Sequence, residues 1–339
     1  MRTLRWVVVA VLGLAAVATL DLATLGASTV HPVAQLIALR SWVALEFAAL
    51  ALGVLLLAAL VRRVTRHRPP RLLTLALLLA LVAAGHGGIL AFRGFDAGQV
   101  PVAQDAAAGD VTVLSLNILG GAVDPDELRR LVIESGADVV ALPESGYDVV
   151  AWLAEQLAAA GQEYQAFPGP ARISDDRGTG LLVSARLGEY VEVTGAPAGV
   201  VRVDSVDGTG PPIAAVHPIA PPGIRTGFSG EGHQLDQWRG ELDEATAICR
   251  DLPGGIVAGD FNATLDHAPL RDVGAYVDAS VEAGMGGLGT FPARLPALLG
   301  TTIDHVLVDS GAFTVVEGAI VQVSGTDHRA VIVRLAPRA

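Results

Sequence analysis

Polar residues follow several apolar runs of the chain, at points where a buried strand would end. The clearest case is GGIVAGDFNAT (254–264), in which a strand ending near Ala258 is followed by Asp260 and Asn262. Gly, Asp and Asn are also the usual residues of turns, so this stretch alone is compatible with a simple turn. Five other strand ends have the same character, and the complete set is Asn117, Glu144, His217, Asp260, Asn262, Asp304, Asp327 and His328.

The set contains two amides, four acids and two histidines. Each residue taken singly has a structural explanation, such as a cap, a turn or a buried histidine. Six strand ends of this kind together are hard to explain as turns, and we predict that they converge on one catalytic site. His305 follows Asp304 directly in its strand, so its side chain points the opposite way, and we interpret it as structural.

Apolar spacing predicts the elements that position these side chains. Alternating or continuous apolar runs predict strands at 111–117, 138–143, 180–185, 213–217, 256–258, 301–308, 313–322 and 330–335, and helices at 125–135 and 148–160. Leu235, Trp238, Leu242, Ala245 and Ile248 form the buried stripe of another helix. Strands and helices mix without a strict βαβ repeat, which favours an α/β sandwich with substantial antiparallel pairing.

Three apolar segments precede this region, namely Trp6–Leu25, Ser41–Val61 and Leu72–Phe92. A helix of about 20 residues covers roughly 30 Å, the thickness of a bilayer core. We therefore predict a three-helix transmembrane anchor over residues 1–93, with a signal peptide as the alternative for the first segment. Residues 94–109 are rich in Ala and Gly and are predicted to be a linker to a catalytic domain at 110–339.

Arginines indicate the orientation of this anchor in the cell membrane. Five of them fall in RRVTRHRPPR (62–71), between the second and third segments, and the positive-inside rule assigns that turn to the cytoplasm. The domain after the third segment is then extracytoplasmic. Asp21, Glu46 and His86 lie in or near the apolar segments, and we assign them no chemical role.

The chain is acidic, with a net charge of −12 and no lysine. The first 100 residues contain nine of the 23 arginines but only three of the 35 acidic residues, so the rest is more acidic still. Such a domain lacks the cationic face that drives non-specific binding of nucleic acid. Cys249 is the only cysteine, which excludes an intrachain disulfide and a cysteine metal cluster. Arg177 is interpreted as a surface residue, and the glycine-rich stretch 282–291 as a flexible loop near the site.

The order of the polar strand ends resembles the endonuclease/exonuclease/phosphatase superfamily, which has the deoxyribonuclease-I-like fold. GDFN (259–262), IDHV (303–306) and DHRAV (327–331) occur in the expected order, and the resemblance covers roughly residues 110–337. It implies a four-layered α/β sandwich, in which two packed mixed β-sheets are flanked by helices. It also implies hydrolysis of a phosphoester with a divalent cation, usually Mg²⁺.

The resemblance also implies a role for each residue of the set. Glu144 would be the main metal ligand, with Asn117 beside it, and Asp327 would join the metal shell or orient the site. Asp260 would orient or deprotonate the attacking water. The remaining residues would act on the phosphate: Asn262 as a donor, His328 as an imidazolium positioned by Asp304, and His217 as a donor to the phosphate or the leaving group.

Three positions depart from the family pattern, and two of the departures matter. Leu119 stands where some nuclease branches have an acid, which makes a second metal site and kinship with abasic-site nucleases doubtful. Pro143 precedes Glu144 where many members have Gln, and Thr326 replaces a Ser before Asp327 without expected consequence. The predicted function is a membrane-anchored, outward-facing, Mg²⁺-dependent phosphoesterase that hydrolyses a phosphodiester or phosphomonoester, for example a lipid head group, by metal-assisted in-line attack of water. The alternatives are an extracellular nuclease of the same catalytic class and a non-catalytic binding module on this fold.

Overall fold

The computed structural model describes residues 2–169, 178–223 and 232–338, so Arg177 lies outside the described residues. The helices are α1 (Arg2–Ala18), α2 (Val33–Ile37), α3 (Arg40–Thr65), α4 (Pro70–Arg93), α5 (Pro125–Ser135), α6 (Tyr147–Ala159), α7 (Gly232–Asp251) and α8 (Ala279–Glu282). The strands are β1 (Val111–Ser115), β2 (Val139–Ser145), β3 (Tyr164–Pro168), β4 (Gly178–Ser184), β5 (Tyr190–Glu192), β6 (Val200–Ser205), β7 (Ile213–Val216), β8 (Ile256–Asp260), β9 (Tyr276–Asp278), β10 (Asp304–Asp309), β11 (Phe313–Gln322) and β12 (Arg329–Pro337).

The strands form two six-stranded mixed sheets. The first has the order β11-β12-β1-β2-β4-β3 and the second β5-β6-β7-β8-β10-β9. Among the described residues, β1–β2 and β7–β8 pair in parallel, and the other neighbouring strands are antiparallel. The predicted fold class is therefore confirmed, including the predominance of antiparallel pairs.

Successive side chains along a strand point to opposite faces of its sheet. Val139 and Ala141 of β2 point into a core shared with Ile256 and Ala258 of the second sheet. Val140 and Leu142 point the other way, into a second core with the apolar faces of α5 and α6. Helix α7 buries the predicted stripe against β8 of the second sheet. The result is four layers, with helices outside both packed sheets.

Strands β3, β5, β6 and β9 were not predicted, because they are only partly apolar. Tyr164–Pro168 (β3) has no fully buried residue, which removes the alternation on which strand prediction depends. Residues 94–109 make specific contacts as well: Gly98 forms a β-bridge with Ala319, and Arg334 donates to the Val102 carbonyl. Loop 285–290 is mostly buried, and Gly286 and Gly287 donate to the carbonyls of Arg93 and Gly94, so the prediction of a flexible loop was wrong.

By their contacts the residues group into two compact units. The first comprises residues 1–92 together with Asp266–Ala268, and the second comprises residues 93–265 and 269–339. Two helices of the first unit, α3 and α4, are long and apolar enough to cross a membrane. The prediction of three spans is corrected to two, because α1 has only 17 residues. Helix α1 ends at Ala18, and in the tight turn that follows the Asp21 carboxylate accepts hydrogen bonds from Thr24.

Gly259 marks a close approach between β7 and β8, next to the predicted site. Its φ is +152°, and an added Cβ would lie 2.0 Å from the Val216 carbonyl oxygen of the paired strand. Any residue larger than glycine is excluded at this position, because its Cβ would collide with the backbone of the paired strand, which cannot move aside.

We expect Gly259→Ala to destabilise the second unit by at least about 2 kcal/mol, since the new methyl group forces the two strands apart. Gly240 of α7 is the matched control, because it is exposed and nothing lies within 4 Å of an added Cβ. Gly240→Ala is expected to stabilise the helix by about 0.5–1 kcal/mol. Denaturant unfolding of the full chain measures both changes, and equal stabilities for the two variants would contradict this account.

Candidate active site

Glu144 owes its orientation to a β-bulge at the end of β2. Pro143 pairs with Thr179 and Ser145 with Gly178, so Glu144 is the extra residue on the bulged strand. Its φ is +56°, a left-handed conformation that non-glycine residues rarely adopt. A bulge re-aims the side chain, and backbone strain of this kind concentrates at functional sites.

Asn117 connects the carboxylates of the two sheets. The chain continues past β1 beside β2, with Leu116 and Ile118 donating to the carbonyls of Ala141 and Pro143. The buried Asn117 amide nitrogen donates to Glu144 Oε1 and to Asp260 Oδ2, both at 3.0 Å. Its Oδ1 accepts from the Leu119 amide, which fixes the plane of the amide group.

Asp260 and Asp304 face each other at the ends of antiparallel β8 and β10, and both are buried. Burial, and then the charge of Asp304, raise the pKa of the Asp260 carboxyl against the opposing effects of His328, His217 and Asn117. A buried aspartate with a raised pKa binds protons more readily than a solvated one, as a general base must.

His328 lies immediately before β12 and contacts both of these aspartates. Its Nδ1 is 2.8 Å from Asp304 Oδ2, and its Nε2 is 3.7 Å from Asp260 Oδ2 and 4.0 Å from Asp327 Oδ1. Burial alone would lower the pKa of His328, but the charges of Asp304, Asp260 and Asp327 together raise it to about 10. The ring is therefore an imidazolium at neutral pH.

His217 follows β7 and faces the same carboxylates. Its Nε2 lies 4.0 Å from Glu144 Oε1 and 3.9 Å from Asp260 Oδ2. The side chain is half-buried, so this ring is among the members of the site that reach solvent.

Asn262 lies just beyond the end of strand β8 and is not extended. Strand β8 ends at Asp260, and Asn262 adopts a left-handed conformation with φ of +47°. Its backbone N–H donates to Asp260 Oδ1 at 2.8 Å, and its side-chain amide donates to the Pro218 carbonyl at 3.0 Å. The Asn262 amide is thus fixed beside the segment that follows His217.

Several residues that support the site were not predicted. Thr326 Oγ1 donates to the Asn117 carbonyl at 2.6 Å and accepts from the His328 N–H, so it joins two site residues. Thr290 Oγ1 accepts from the Asp304 N–H, and Trp238 Nε1 donates to the Asn262 carbonyl. The sequence indicated Trp238 only as a buried helix residue and Thr326 only as a motif position, because the hydrogen-bond partner of a single hydroxyl or indole leaves no pattern in the sequence.

Phe291 and Arg329 form a second group of unpredicted supports. The Phe291 ring packs on His328 with ring centroids 4.9 Å apart. The buried Arg329 guanidinium donates to the carbonyls of Gly289, Ala293 and Leu295, and so fixes the loop that contains Phe291. His305, by contrast, lies on the opposite face between Asp278 and the Ala263 carbonyl, as a structural residue should.

The charge balance of the site fits a divalent cation. Four carboxylates surround two histidines, and Asp304 Oδ1 and Asp327 Oδ1 are buried without a hydrogen-bond partner. Buried carboxylates need paired charge, and oxygen-rich donor sets suit Mg²⁺ or a similar hard cation. Asp260, Asp304 and His328 also have ligand atoms within 4.8 Å of one another. A cation bound at that group would compete with the proton on His328.

Two packed mixed sheets with acids, amides and histidines at their strand ends define the class of metal-dependent α/β-sandwich hydrolases. The family model for the endonuclease/exonuclease/phosphatase family matches residues 114–328, and the chain belongs to this family. It is thus a divalent-metal-dependent phosphoester hydrolase. A comparison with curated proteins finds no match.

A comparison with solved structures also finds similar chains. An endonuclease/exonuclease/phosphatase from Beutenbergia cavernae is 19% identical, with a TM-score of 0.49 over 67% of this chain and 72% of that one. The mannosyl-6-phosphatase of Bacteroides thetaiotaomicron is 17% identical, with a TM-score of 0.46 over 67% and 99%. TDP2 of D. rerio, in complex with a single-strand DNA product, is 16% identical, with a TM-score of 0.47 over 67% and 98%.

The raised pKa of His328 predicts a titration that can be measured without added metal. In chelator, we expect the His328 imidazolium to persist at neutral pH and to titrate near pH 10, in ¹⁵N spectra of histidine-labelled protein. Because this pKa is raised on folding, the ion pair stabilises the fold fully below about pH 6.5 and loses that effect as pH rises through about 10.

His328→Asn assigns the signal, and Asp304→Asn removes its main charged partner. Asp304→Asn is expected to move the titration downward by more than one pH unit, since each unit corresponds to about 1.4 kcal/mol of interaction. A His328 ring that is neutral at pH 7 in the wild-type protein would contradict the assignment.

Proposed function

We propose that this enzyme hydrolyses a phosphodiester in a Mg²⁺-dependent reaction on the outer side of a membrane. The observation that supports the chemistry best is the contact of Asp260 Oδ2 with Asn117, His328 and His217 in one buried cluster. A base with a raised pKa, an imidazolium and an acidic cation site then lie within one network.

Glu144, Asn117 and Asp327 are the residues we assign to the cation. Glu144 is half-buried and strained into the site, and Asp327 has a buried oxygen without a hydrogen-bond partner. When bound, Mg²⁺ supplies positive charge that polarises the phosphoester and stabilises the charge developing in the transition state. Asn117 contributes by keeping Glu144 and Asp260 in a fixed relation through its two N–H groups.

Asp260 is assigned to the attacking water. Its Oδ1 accepts from the Asn262 N–H and its Oδ2 from Asn117, and we assign Oδ2, the oxygen that faces His328 and His217, to accept a proton from water. The raised pKa brings this carboxylate closer to the operating pH, which strengthens it as a base. Asn117 fixes the orientation of Oδ2, which is what positioning of the nucleophile requires.

His328, Asn262 and His217 are assigned to the phosphate group. His328 donates from Nδ1 to Asp304, which leaves the Nε2–H of the imidazolium to donate to a phosphate oxygen. An amide NH₂ has two donor hydrogens, so Asn262 retains one when the other is donated to Pro218. His217, which is partly exposed, is assigned to donate a hydrogen bond to the phosphate or to the leaving oxygen.

The charge balance favours a diester over a monoester. Four carboxylates, one imidazolium and one divalent cation leave about one net negative charge. A phosphomonoester carries roughly two negative charges at neutral pH and a diester only one. The diester therefore meets less repulsion, and a lipid phosphodiester is the substrate class that also fits a membrane location.

We expect full-length protein to hydrolyse bis(4-nitrophenyl) phosphate with Mg²⁺ and not with chelator. Glu144→Gln and His328→Asn are each expected to lower kcat by about 10²–10⁴-fold, because they remove the cation carboxylate and the phosphate donor. Glu155→Gln, which changes an exposed acid on α6, is the matched control and should retain full activity. Phospholipid vesicles, plasmid DNA and 4-nitrophenyl phosphate are compared in parallel.

The outcomes separate the candidate functions. Cleavage of DNA in preference to phospholipid would identify a nuclease of the same catalytic class. Full activity in both Glu144→Gln and His328→Asn would contradict the assigned site. No hydrolysis of any substrate by folded protein would favour a binding module on this fold.

The membrane location rests on helices α3 and α4. The turn that joins them belongs to 62–71, which contains five arginines, whereas Arg40 and Arg93 are the arginines at the opposite ends. The positive-inside rule assigns such a turn to the cytoplasm. The two helices then form a hairpin, and the domain that follows Arg93 is extracytoplasmic.

Labelling of single cysteines in intact cells tests this orientation. With Cys249 replaced by Ser, a membrane-impermeant maleimide should label Glu192→Cys, on an exposed strand, and should not label His67→Cys until the cells are permeabilised. The reverse pattern would place the active site in the cytoplasm. Labelling of both positions in intact cells would show that the helices do not span the membrane.

A further inference from the structure

Arg40, the first residue of α3, lies at the centre of a buried polar network within the first unit. Its Nε and Nη2 donate to the two carboxylate oxygens of Asp266 at 2.8 and 2.7 Å. Its Nη1 donates to His86 Nδ1 at 3.0 Å, and Nη2 also donates to the Leu20 carbonyl. Arg40 is 3% exposed and Asp266 1%, so the pair is almost completely removed from water.

Each hydrogen bond along this network pairs one donor with one acceptor. Because Arg40 can only donate, His86 Nδ1 must accept, and the His86 Nε2–H then donates to Thr19 Oγ1 at 3.0 Å. The Thr19 hydroxyl donates in turn to the Ala16 carbonyl. Phe47 stacks on the His86 ring. Residues of α1, α3 and α4 thus fix the guanidinium, which is pre-organised to bind a carboxylate in a bidentate way.

The two residues after Asp266 are fixed in the same unit. His267 Nε2 bonds to the Ala34 carbonyl at 3.0 Å, and the Ala268 N–H donates to Ser28 Oγ at 3.0 Å. His267 and Ser28 are each 1% exposed. Three consecutive residues that follow the GDFN sequence are therefore immobilised by buried contacts to residues 28–40.

The chain between this segment and the active site is short. Asn262, which is left-handed, precedes Asp266 by four residues, and Asp260 precedes it by six. A strained residue keeps its conformation only where the surrounding structure fixes the chain on both sides. Strand β8 fixes the upstream side, whereas downstream His305 bonds to the Ala263 carbonyl before the chain reaches Asp266.

We propose that Arg40 is a positioning residue for catalysis, acting through Asp266 to maintain the conformation of Asn262 and the orientation of Asp260. The N-terminal unit then contributes to the chemistry of the site. This inference rests on the proposed function, because it assigns Arg40 a part in the same hydrolysis.

The test uses full-length protein in detergent with added phospholipid, Mg²⁺ and bis(4-nitrophenyl) phosphate. Arg40→Gln is expected to lower kcat by about 10- to 100-fold with KM changed less than about two-fold, since misplacement of reacting groups acts mainly on the rate. Arg40→Lys keeps the charge but loses the bidentate geometry, and should give an intermediate kcat. Amides of residues 261–268 should exchange hydrogen faster in Arg40→Gln.

Arg186→Gln is the control for loss of a bidentate pair, because Arg186, whose side chain is half exposed, also forms such a pair with Asp138, at 2.8 and 2.6 Å. Asp138 precedes β2, whereas Glu144 lies about 20 Å away at the other end of that strand. This variant should retain kcat within about two-fold and show normal exchange in 261–268. Should Arg40→Gln fail to fold, Ser28→Ala removes only the bond to Ala268 and should lower kcat in the same direction by less.

A kcat within about two-fold of wild type in Arg40→Gln would overturn the inference, as would unchanged exchange of 261–268. An equal loss of kcat in Arg186→Gln would also overturn it, because the effect would then be general destabilisation. If the wild-type protein hydrolyses nothing, the proposed function fails and the kinetic part of the inference fails with it. Exchange in 261–268 still reports whether Arg40 fixes the segment.

Discussion

The ion pair between His328 and Asp304 is the interaction on which the rest of the site depends. Asp304 and Asp260 are buried opposite each other, and two adjacent buried carboxylates repel strongly unless a positive charge lies between them. His328 supplies that charge, with Nδ1 bonded to Asp304 and Nε2 facing Asp260. Its protonation is therefore a consequence of the fold as well as a requirement of the chemistry.

Local departures from regular strand structure position the charged side chains of the site. A bulge turns Glu144 toward the site, and Gly259 permits β7 and β8 to approach closely at the level of the carboxylates. Leu119 and Asn262 are left-handed as well, so all three strained non-glycine residues of the second unit's described part are site residues or lie within two residues of one. The regular strands position the site to within a few ångströms, and the strained residues determine where its side chains point.

The fold and the set of clustered residues could be predicted from the sequence because both have periodic or ordered signals. Apolar alternation indicated the long strands, and the order of GDFN, IDHV and DHRAV indicated the family. The geometry of Asn262 could not be predicted in this way, since left-handed conformations leave no periodic trace. Thr326 and Arg329 were missed because their contacts are with backbone carbonyls distant in sequence, which residue types alone do not reveal.

The membrane prediction failed in part for a different physical reason. Hydropathy measures composition, and Trp6–Leu25 is as apolar as the other two segments. Helix length also depends on polar groups at the ends, and the Asp21–Thr24 turn interrupts the segment after Ala18. In the same way His86, which we left without a role, gains one only when Arg40 and Thr19 are known to lie on either side of its ring.

The energy needed to separate the buried pair of Arg40 and Asp266 explains how the pair would restrain the chain next to Asp266. Separating the pair would leave a guanidinium unpaired among apolar helices, and breaking a buried pair costs about 3–5 kcal/mol. Left-handed strain at Asn262 costs only about 1–3 kcal/mol. Since the pair is the stronger of the two, the strain at Asn262 is too small to open it. The six residues after Asp260 thus connect the carboxylate of Asp260 to a contact that is costly to open.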